Sequence, residues 1–158
     1  MIDLNLARAH LKADDEDVED DLIEQYIASA VSACEGYCNR KFYENAAEQI
    51  TDFDVALGEL TEAREQYEAD VATTEDCELL AIYHDRLIRA RGDVLRRING
   101  IVIDGTITAA ILMMLGHFYR NRQEVVVAQY SGATQLPAGA RRILEPYLWI
   151  GNLAGGGS

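Results

Sequence analysis

The stretch ITAAILMMLGHFYRNRQ, residues 107–123, decides the fold of this chain. Its apolar side chains fall on nearly every face of a helix, and its last turn carries two arginines. A helix without a polar face must be covered on all sides, either by its own fold or by another subunit. The stretch therefore predicts a buried or intersubunit helix, which Thr106 or Thr108 can cap and which ends near Arg122 or Gln123.

Apolar residues at helical spacing predict two further helices before this stretch. The first covers residues 4–12 with Asp3 as its N-cap, and the second covers residues 18–40 with Asp17 as its candidate cap. The acidic run Asp14–Asp21 lies between them, where its carboxylates suit the positive end of the second helix. The second helix carries one broad apolar stripe, made of Ile23, Tyr26, Ile27, Ala30, Val31, Cys34, Tyr37 and Cys38.

The middle of the chain predicts an antiparallel helical hairpin. Its two helices cover residues 53–72 and 74–98, and the polar turn Thr73–Asp76 joins them. Apolar residues recur at heptad-like steps, which are Leu57, Leu60, Tyr67 and Val71 on the first helix and Leu80, Tyr83, Leu87, Ala90, Val94 and Ile98 on the second. A β-like run over residues 101–103 follows, and it is too short to anchor a sheet by itself.

The second hairpin helix is rich in arginine, with Arg86, Arg89, Arg91, Arg96 and Arg97. Such a strip is one sign of DNA contact. The first hairpin helix offers a simpler partner, because it presents the carboxylates Glu59, Glu62, Glu65 and Glu68. We therefore favour ion pairs across the hairpin over nucleic-acid binding.

These elements predict an all-α fold, a small helical bundle with an inserted antiparallel helical hairpin and an extended C-terminal arm. The hairpin insertion covers residues 48–103 of a single helical domain that covers residues 1–150. The arm is a loop or a β-arm over residues 124–136, since VVV favours extended backbone there. A last short helix over residues 138–144 and a flexible, glycine-rich tail over residues 151–158 complete the chain.

The composition predicts a soluble protein with a divided charge. The formal net charge is −13 over 158 residues, with 22 of the 27 acidic and five of the 14 basic residues among the first 80. An acidic first half disfavours tight phosphate binding, whereas the two halves can attract each other within or between copies. The longest apolar run is far shorter than the roughly 20 residues of a membrane span, so we expect no membrane contact. Three cysteines without a secretory leader fit a reduced, cytosolic setting.

No pattern in the sequence identifies an enzyme, a cofactor or a metal site. When the acidic run is aligned with a calcium loop, Asp20 falls where glycine is required and Tyr26 where glutamate is required. Cys34 and Cys38 share a helical face with no histidine nearby, which favours buried apolar cysteines over a zinc site. The histidines His10, His84 and His117 lie on three separate predicted helices, without a carboxylate at a catalytic spacing. We expect no catalytic residue, no cofactor and no metal.

Two separated blocks of the sequence form a gapped pattern. The opening block has its matching positions at Leu6, Ala9, His10, Leu11, Asp14–Asp21, Tyr37 and Arg40. The closing block has them at Ala110, Leu115, His117, Tyr119, Asn121, Arg122, Leu136, Pro137, Leu144, Pro146 and Tyr147. In this order the blocks resemble the small head-tail connector (adaptor) proteins of long-tailed bacteriophages. Residues 48–103 depart from the pattern, since the relatives have a much shorter link there.

The resemblance implies a structural virion protein of the neck, assembled in the host cytoplasm. Its partners would be further copies in a homo-oligomeric ring, the portal protein above the ring and a downstream neck or tail-completion protein. Double-stranded DNA would pass through the channel without sequence-specific binding. The charge division and the over-apolar helix favour the same assembly independently, because head-to-tail contacts close into rings when the rotation allows.

We assign roles to the residues of the closing block as hypotheses. The subunit core would contain Ile107, Ile111, Met114, Leu115 and Phe118. The subunit interface would contain Leu112, Met113, Tyr119, Arg120 and Arg122, since arginine and tyrosine are favoured anchors of interfaces. The portal would be bound by Arg141, Arg142, Tyr147, Leu148 and Trp149. Two alternatives stay open, namely another neck component such as a stopper or tail-completion protein, and a non-viral helical interaction module.

Overall fold

The computed structural model describes residues 2–12, 20–121 and 136–151, and the fold is all-α as predicted. The α-helices of these ranges are α1 (Leu4–Leu11), α2 (Asp20–Cys38), α3 (Ala46–Ala72), α4 (Cys77–Ile98), α5 (Gly105–Arg120) and α6 (Ala138–Leu144). A 3-10 turn over Glu145–Tyr147 follows α6. The two-residue strands β1 (Phe42–Tyr43) and β2 (Ile101–Val102) pair in parallel.

The chain divides into two compact units. We call Met1–Phe42 together with Ile103–Ser158 the core unit, and Tyr43–Val102 the hairpin unit. In the core unit, α5 packs against α1, α2 and α6. The α5 side chains that we predicted for the core are all buried, namely Ile107, Ile111, Met114, Leu115 and Phe118.

The stripe predicted for α2 is largely confirmed. Its residues Ile23, Tyr26, Ile27, Ala30, Cys34 and Cys38 are buried. Asp20 and Asp21 lie in the first turn of α2, where carboxylates suit the positive end of a helix. Arg8 of α1 donates from Nε to Asp20 Oδ1 over 2.9 Å, so this part of the acidic run also ties α1 to α2.

The cap of α5 differs from the prediction. Neither Thr106 nor Thr108 caps this helix. Asp104 Oδ1 accepts hydrogen bonds from the backbone N–H groups of Thr106 and Ile107, each over 2.8 Å, and the helix begins at Gly105. A carboxylate accepts these bonds better than a hydroxyl because the helix N-terminus is positive.

The caps of α1 and α3 also correct the sequence analysis. Asp3 has the N-cap position of α1, but its side chain makes no cap hydrogen bond. The first hairpin helix begins at Ala46 and not at residue 53, because Asn45 Oδ1 accepts from the backbone N–H of Glu48 over 2.9 Å. The Glu48 carboxylate in turn accepts from the N–H of Glu44. These reciprocal bonds satisfy backbone donors that would otherwise lack partners.

The hairpin is antiparallel, as its contacts show. Asp70 near the end of α3 pairs with Arg86, whereas Asp52 near its beginning pairs with Arg97 near the end of α4. Asp76 caps α4, so that helix begins three residues later than predicted, at Cys77.

The predicted apolar pattern of the hairpin is largely confirmed, with one error on α3. Leu60, Tyr67 and Val71 of α3 are half-buried as expected. Leu57 was expected in the seam between the helices but is 41% exposed, and Ala56 is the buried residue of α3. On α4, Val94 is buried and its predicted companions Leu80, Tyr83, Leu87, Ala90 and Ile98 are half-buried. The heptad count on α3 is therefore one residue too late, at Leu57 instead of Ala56. Asp52 lies in the seam as well, four residues before Ala56, and the apolar pattern alone could not show this.

Several predictions fall outside the described residues. They include the candidate cap Asp17 and most of the acidic run, Arg122, the arm over residues 124–135 and the tail over residues 152–158. Within the described ranges, no helix is long and apolar enough to cross a membrane.

Candidate functional site

The uncovered strip of α5 holds the residues predicted for the subunit interface. Met113 is 37% exposed and Arg120 is exposed, while Leu112 and Tyr119 are half-buried. Arg120 Nε donates back to the carbonyl of Gly116 over 3.2 Å, which holds the start of the side chain along the helix. The core unit therefore covers most of this apolar helix and leaves one mixed apolar and basic strip.

Met113 also has a contact within the subunit. Its terminal methyl group occupies the space where a side chain at position 139 would begin, so glycine at this place lets α6 approach α5 closely. Met113 thus joins the predicted interface strip to α6. A methionine suits this position, because its thioether adapts to irregular surfaces.

The predicted docking element, α6 with the 3-10 turn, combines an anchored side with a basic side. Ala140 and Leu144 are fully buried. Arg141 and Arg142 are exposed on the opposite side. The arginines therefore project from a helix that the core unit holds in place.

Tyr147 anchors the end of this element to the start of α5. Its hydroxyl donates to Asp104 Oδ2 over 2.7 Å, while the other carboxylate oxygen caps α5. The backbone hydrogen bond from Ile107, followed by the bond from Tyr147, lowers the pKa of Asp104. The bond to Asp104 raises the pKa of Tyr147. Tyr147 was predicted to contact the portal, and the structure gives it this additional intrachain role.

The segment after the 3-10 turn is fixed by the end of α2. The N–H of Trp149 donates to the carbonyl of Cys38 over 2.9 Å, and Asn39 Nδ2 donates to the carbonyl of Trp149 over 3.4 Å. Asn39 has a φ of 53°, a left-handed conformation that asparagine tolerates better than most residues. The indole ring lies against Gly151. Trp149 and Leu148 are half-buried, so both keep part of their surface accessible.

The predicted residues form two areas and no single pocket. Met113 brings the interface strip next to α6. Tyr147 lies at the N-terminal end of α5 and Arg120 at its C-terminal end, roughly 24 Å away for a helix of this length. Arg122, the remaining interface residue, lies outside the described residues.

The buried cysteines are chemically quiet. Burial raises the pKa of Cys34 to about 12 and that of Cys38 to about 11. The thiolate is the reactive form, so both thiols are poor nucleophiles and poor metal ligands at neutral pH. In the ranges that the structure describes, no group of three His, Cys, Asp or Glu side chains could hold a metal ion.

A polar cluster at the base of the hairpin was not predicted from the sequence. The Tyr43 hydroxyl bonds to Asp52 Oδ2 and to the carbonyl of Arg97, and the Arg97 guanidinium bonds to both Asp52 and Glu59. Ion pairs across the hairpin were predicted as a set, and Arg97–Glu59 is the one pair that joins a predicted arginine to a predicted glutamate. The other two pairs, Arg97–Asp52 and Arg86–Asp70, use aspartates that the prediction did not include. The signal was available, since Asp52 lies four residues before Ala56 and thus on the same face of α3.

The comparisons with known proteins identify the family. The sequence model described as Phage gp6-like head-tail connector protein matches residues 1–82, which is about half of the chain. The matched range includes α1, α2, α3 and the first residues of α4, and ends before α5. No curated protein and no solved structure matches the chain. The chain belongs to the gp6-like family of phage head-tail connector proteins.

Proposed function

We propose that this chain is the adaptor of a phage neck, a structural protein that forms a ring beneath the portal and joins the capsid to the next neck or tail component. The family match over residues 1–82 carries this proposal. The match favours a phage neck protein over a non-viral interaction module. The ring, the portal contact and the DNA channel are the parts that the proposal adds.

The strip on α5 supports contact with neighbouring copies. The strip combines apolar area with a cation, since Leu112 is half-buried and Met113 and Arg120 are exposed. Such a composition is found at the interfaces of subunits that must be soluble before they assemble. The other side of α5 is buried in its own subunit through Ile107, Ile111, Met114, Leu115 and Phe118, so the orientation of the helix is fixed. A fixed strip of this kind costs little conformational entropy when a neighbour binds.

The basic surface of α6 supports contact with the portal. Arg141 and Arg142 are exposed on a helix whose other side is anchored, and Tyr147, Leu148 and Trp149 continue this surface. Arginine and aromatic side chains are the most frequent energetic anchors of protein interfaces.

The charge distribution supports passage of DNA without tight binding. The hairpin unit holds 14 acidic residues against six arginines. An acidic surface repels phosphates, so a channel bordered by such a surface would let the duplex slide. No catalytic step, cofactor or metal is part of the proposed function.

Binding of the portal by single-charge variants tests the proposal. We expect Arg141→Glu and Arg142→Glu each to weaken binding of the purified portal by about tenfold, which corresponds to about 1.4 kcal/mol, because arginine is enriched among the residues that contribute most to interfaces. Arg89→Glu on α4 is the matched control, since Arg89 is also exposed. Unchanged binding by the Arg141→Glu, Arg142→Glu double variant would rule out the docking surface.

Images of the particle test the neck position. An adaptor should occupy the axial level directly beneath the portal. Density one level further from the capsid would identify a stopper or tail-completion protein, which is the alternative within the neck. The absence of this chain from the particle would overturn the structural role.

A further inference from the structure

The two long edges of the hairpin have different chemistry. One edge carries the ion pairs Arg86–Asp70, Arg97–Asp52 and Arg97–Glu59. Arg86 and Arg97 are eleven residues apart, which is close to three helical turns, so they lie on one side of α4. We call this side the ion-paired edge.

The opposite edge is apolar and exposed. Leu57 lies on α3 two residues before Glu59, and Ile88 lies on α4 two residues after Arg86. Residues two apart point to opposite sides of a helix. Leu57 and Ile88 therefore lie away from the ion-paired edge, where they are 41% and 47% exposed. Ile50 and Phe53 share the face of Leu57, because they precede it by seven and four residues. We call these four side chains the apolar edge.

The two edges also differ in charge. The apolar edge has two arginines and one exposed carboxylate, Glu68, which lies eleven residues after Leu57, whereas the ion-paired edge has a surplus of carboxylates. Arg64 is seven residues after Leu57, and Arg91 is three residues after Ile88, so both arginines extend the apolar edge. No ion pair joins either arginine to a carboxylate within the described residues. On the ion-paired edge, Glu62 and Asp93 are exposed and carry carboxylates beyond those used by Arg86 and Arg97.

The complementary groups lie at equal heights along the hairpin. Leu57 and the 49% exposed Val55 are two residues apart on opposite edges. Arg64 and Glu62 are also two residues apart on opposite edges, and so are Arg91 and Asp93. Two residues correspond to about 3 Å along a helix axis. A rotation about an axis parallel to the hairpin preserves height, so it would bring Val55 to Leu57 and the carboxylates to the arginines of the next copy.

We propose that the apolar edge of one hairpin packs against the ion-paired edge of the hairpin in the neighbouring copy. This contact is heterologous, because two different surfaces meet, and repeated heterologous contacts close into a ring when the rotation permits. The occupant of the apolar edge is thus a second copy of this chain. The proposal rests on the ring of the proposed function and assigns one of its interfaces.

The physical basis is shared between apolar burial and charge. Burial of Leu57, Phe53 and Ile88 removes apolar surface from water, which favours association. Charge complementarity then fixes the register, because a wrong height would place Arg64 or Arg91 against apolar groups. The paired charges of the ion-paired edge are already satisfied within their own hairpin, so the surplus Glu62 and Asp93 are the groups that meet the neighbour.

A charge exchange on the full chain tests the contact. We expect Arg64→Glu with Arg91→Glu to weaken self-association about tenfold or more, since like charges would then face each other. Glu62→Arg with Asp93→Arg should have the same effect. The chain with all four substitutions should regain association, because both edges of every copy then have the opposite sign. Sedimentation and native mass spectrometry measure the assembly.

Arg89→Glu is the control for this exchange, because Arg89 is exposed and lies two residues after Leu87, on the solvent side of α4. It should leave self-association unchanged. Loss of association in both double variants without recovery in the fourfold variant would overturn the charge pairing. Association that none of the variants changes would overturn the hairpin contact while leaving the ring and its portal binding intact.

Disulfide formation between two variant chains tests the geometry. In a Cys77→Ser background, which removes the exposed native thiol, we mix Leu57→Cys chains with Val55→Cys chains, alone and with the portal. The proposal expects a disulfide between the two kinds of chain and none in Leu57→Cys chains by themselves. A disulfide between two Leu57→Cys chains, or none under either condition, would overturn it. Portal binding is measured on the same samples, so failure of this contact is distinguishable from failure of the proposed function.

Discussion

The core unit and the hairpin unit are both helical, but different forces hold them. Among the described residues, 17 of the 20 buried hydrophobic side chains lie in the core unit, and the hairpin unit contributes Tyr43, Ala56 and Val94. The hairpin unit instead exposes eight of the 12 large hydrophobic side chains that face solvent. Apolar composition alone therefore does not determine burial in this chain. Apolar side chains are buried where several helices surround one another, and they form an exposed contact surface where only two helices meet.

The stability of the two units should respond to different changes, the core unit to loss of apolar burial and the hairpin unit to changes in charge and salt. Each fully buried leucine, isoleucine or methionine of the core unit contributes about 1.5–3 kcal/mol through removal of apolar surface from water. The hairpin depends more on the cluster of Tyr43, Asp52 and Arg97, whose charges respond to salt and substitution. Four measurements can break or sharpen this division.

The largest contrast should appear in thiol reactivity. Cys34 and Cys38 belong to the core unit and are buried, whereas Cys77 in the hairpin is exposed. The raised pKa values alone lower the thiolate fraction at pH 8 about 1000-fold for Cys34 and about 100-fold for Cys38, relative to a thiol with the ordinary value of 9.0. We expect a disulfide reagent to modify one thiol rapidly in the native protein and three after denaturation.

Cys77→Ser should remove the rapid phase in this experiment. Rapid modification of Cys34 or Cys38 in the native protein would mean that the core unit opens as readily as the hairpin, and the contrast between the units would fail.

Leu115→Ala should cause the largest loss of stability. Leu115 is fully buried in α5, so its truncation leaves a cavity and should lower the free energy of unfolding by about 2–5 kcal/mol. Met113→Ala, on the exposed strip of the same helix, is the matched control and should cost about 1 kcal/mol or less. Denaturant unfolding measures both. Equal losses would contradict the assignment of one side of α5 to the core.

Arg97→Ala should have an intermediate effect that is confined to the hairpin. The side chains of Arg97 and Asp52 are only 14% and 17% exposed. Removal of Arg97 takes the guanidinium donors from Asp52, which keeps the bond from the Tyr43 hydroxyl but loses its positively charged partner. We expect a loss of about 1–3 kcal/mol. Hydrogen exchange should show faster opening of α3 and α4 and no change in α5.

Arg86→Ala is the comparison for this substitution. Arg86 is 57% exposed, so its pair with Asp70 should contribute less than about 1 kcal/mol and weaken further in salt. A larger effect from Arg86 than from Arg97 would show that the cluster at the base does not hold the hairpin.

Substitution of Asp104 should change the stability least, and the size of the change should depend on pH. Removal of its cap by Asp104→Ala should cost about 1 kcal/mol. Its pKa in the folded protein lies below the ordinary value of 3.8. The stabilisation is therefore present above about pH 4 and is lost as the pH falls through the lowered pKa. Thermal unfolding between pH 7 and pH 3 measures it.

Asp104→Asn separates the charge from the cap. Asparagine is a good N-cap but does not titrate in this range, so the variant should keep most of the stability at pH 7 and lose part of the acid dependence. If the variant and the native chain lose the same stability in acid, carboxylates elsewhere account for the dependence.

Much of the fold follows from local patterns in the sequence. The stripe on α2, the buried residues of α5 and the bounds of α6 required only helical periodicity, because each of these helices packs on several neighbours and must be apolar on the packed side. The family, too, could be recognised from spaced residues, since the opening block lies within the matched residues 1–82.

The errors occurred where a polar group competes with a simple pattern. Asp104 caps α5 although two threonines lie closer to the apolar run, because its carboxylate satisfies two backbone donors at once. Leu57 is exposed since Asp52 and Ala56 occupy the seam of the hairpin. These outcomes depend on pairings between residues far apart in sequence, such as Asp52 with Arg97, which a period along one helix cannot contain. The residues assigned to the interface and to the portal stay predictions.

The hydrogen bonds between Trp149 and the end of α2 have a mechanical consequence. Both backbone polar groups of Trp149 are held, one by Cys38 and the other by Asn39. A force applied to the chain at Gly151 would therefore load the end of α2 first, and it would have to break two bonds in parallel before it could pull on α6. Arg141 and Arg142 would therefore keep their orientation while the segment is under tension, because the two bonds at Trp149 would carry the force before it reached α6.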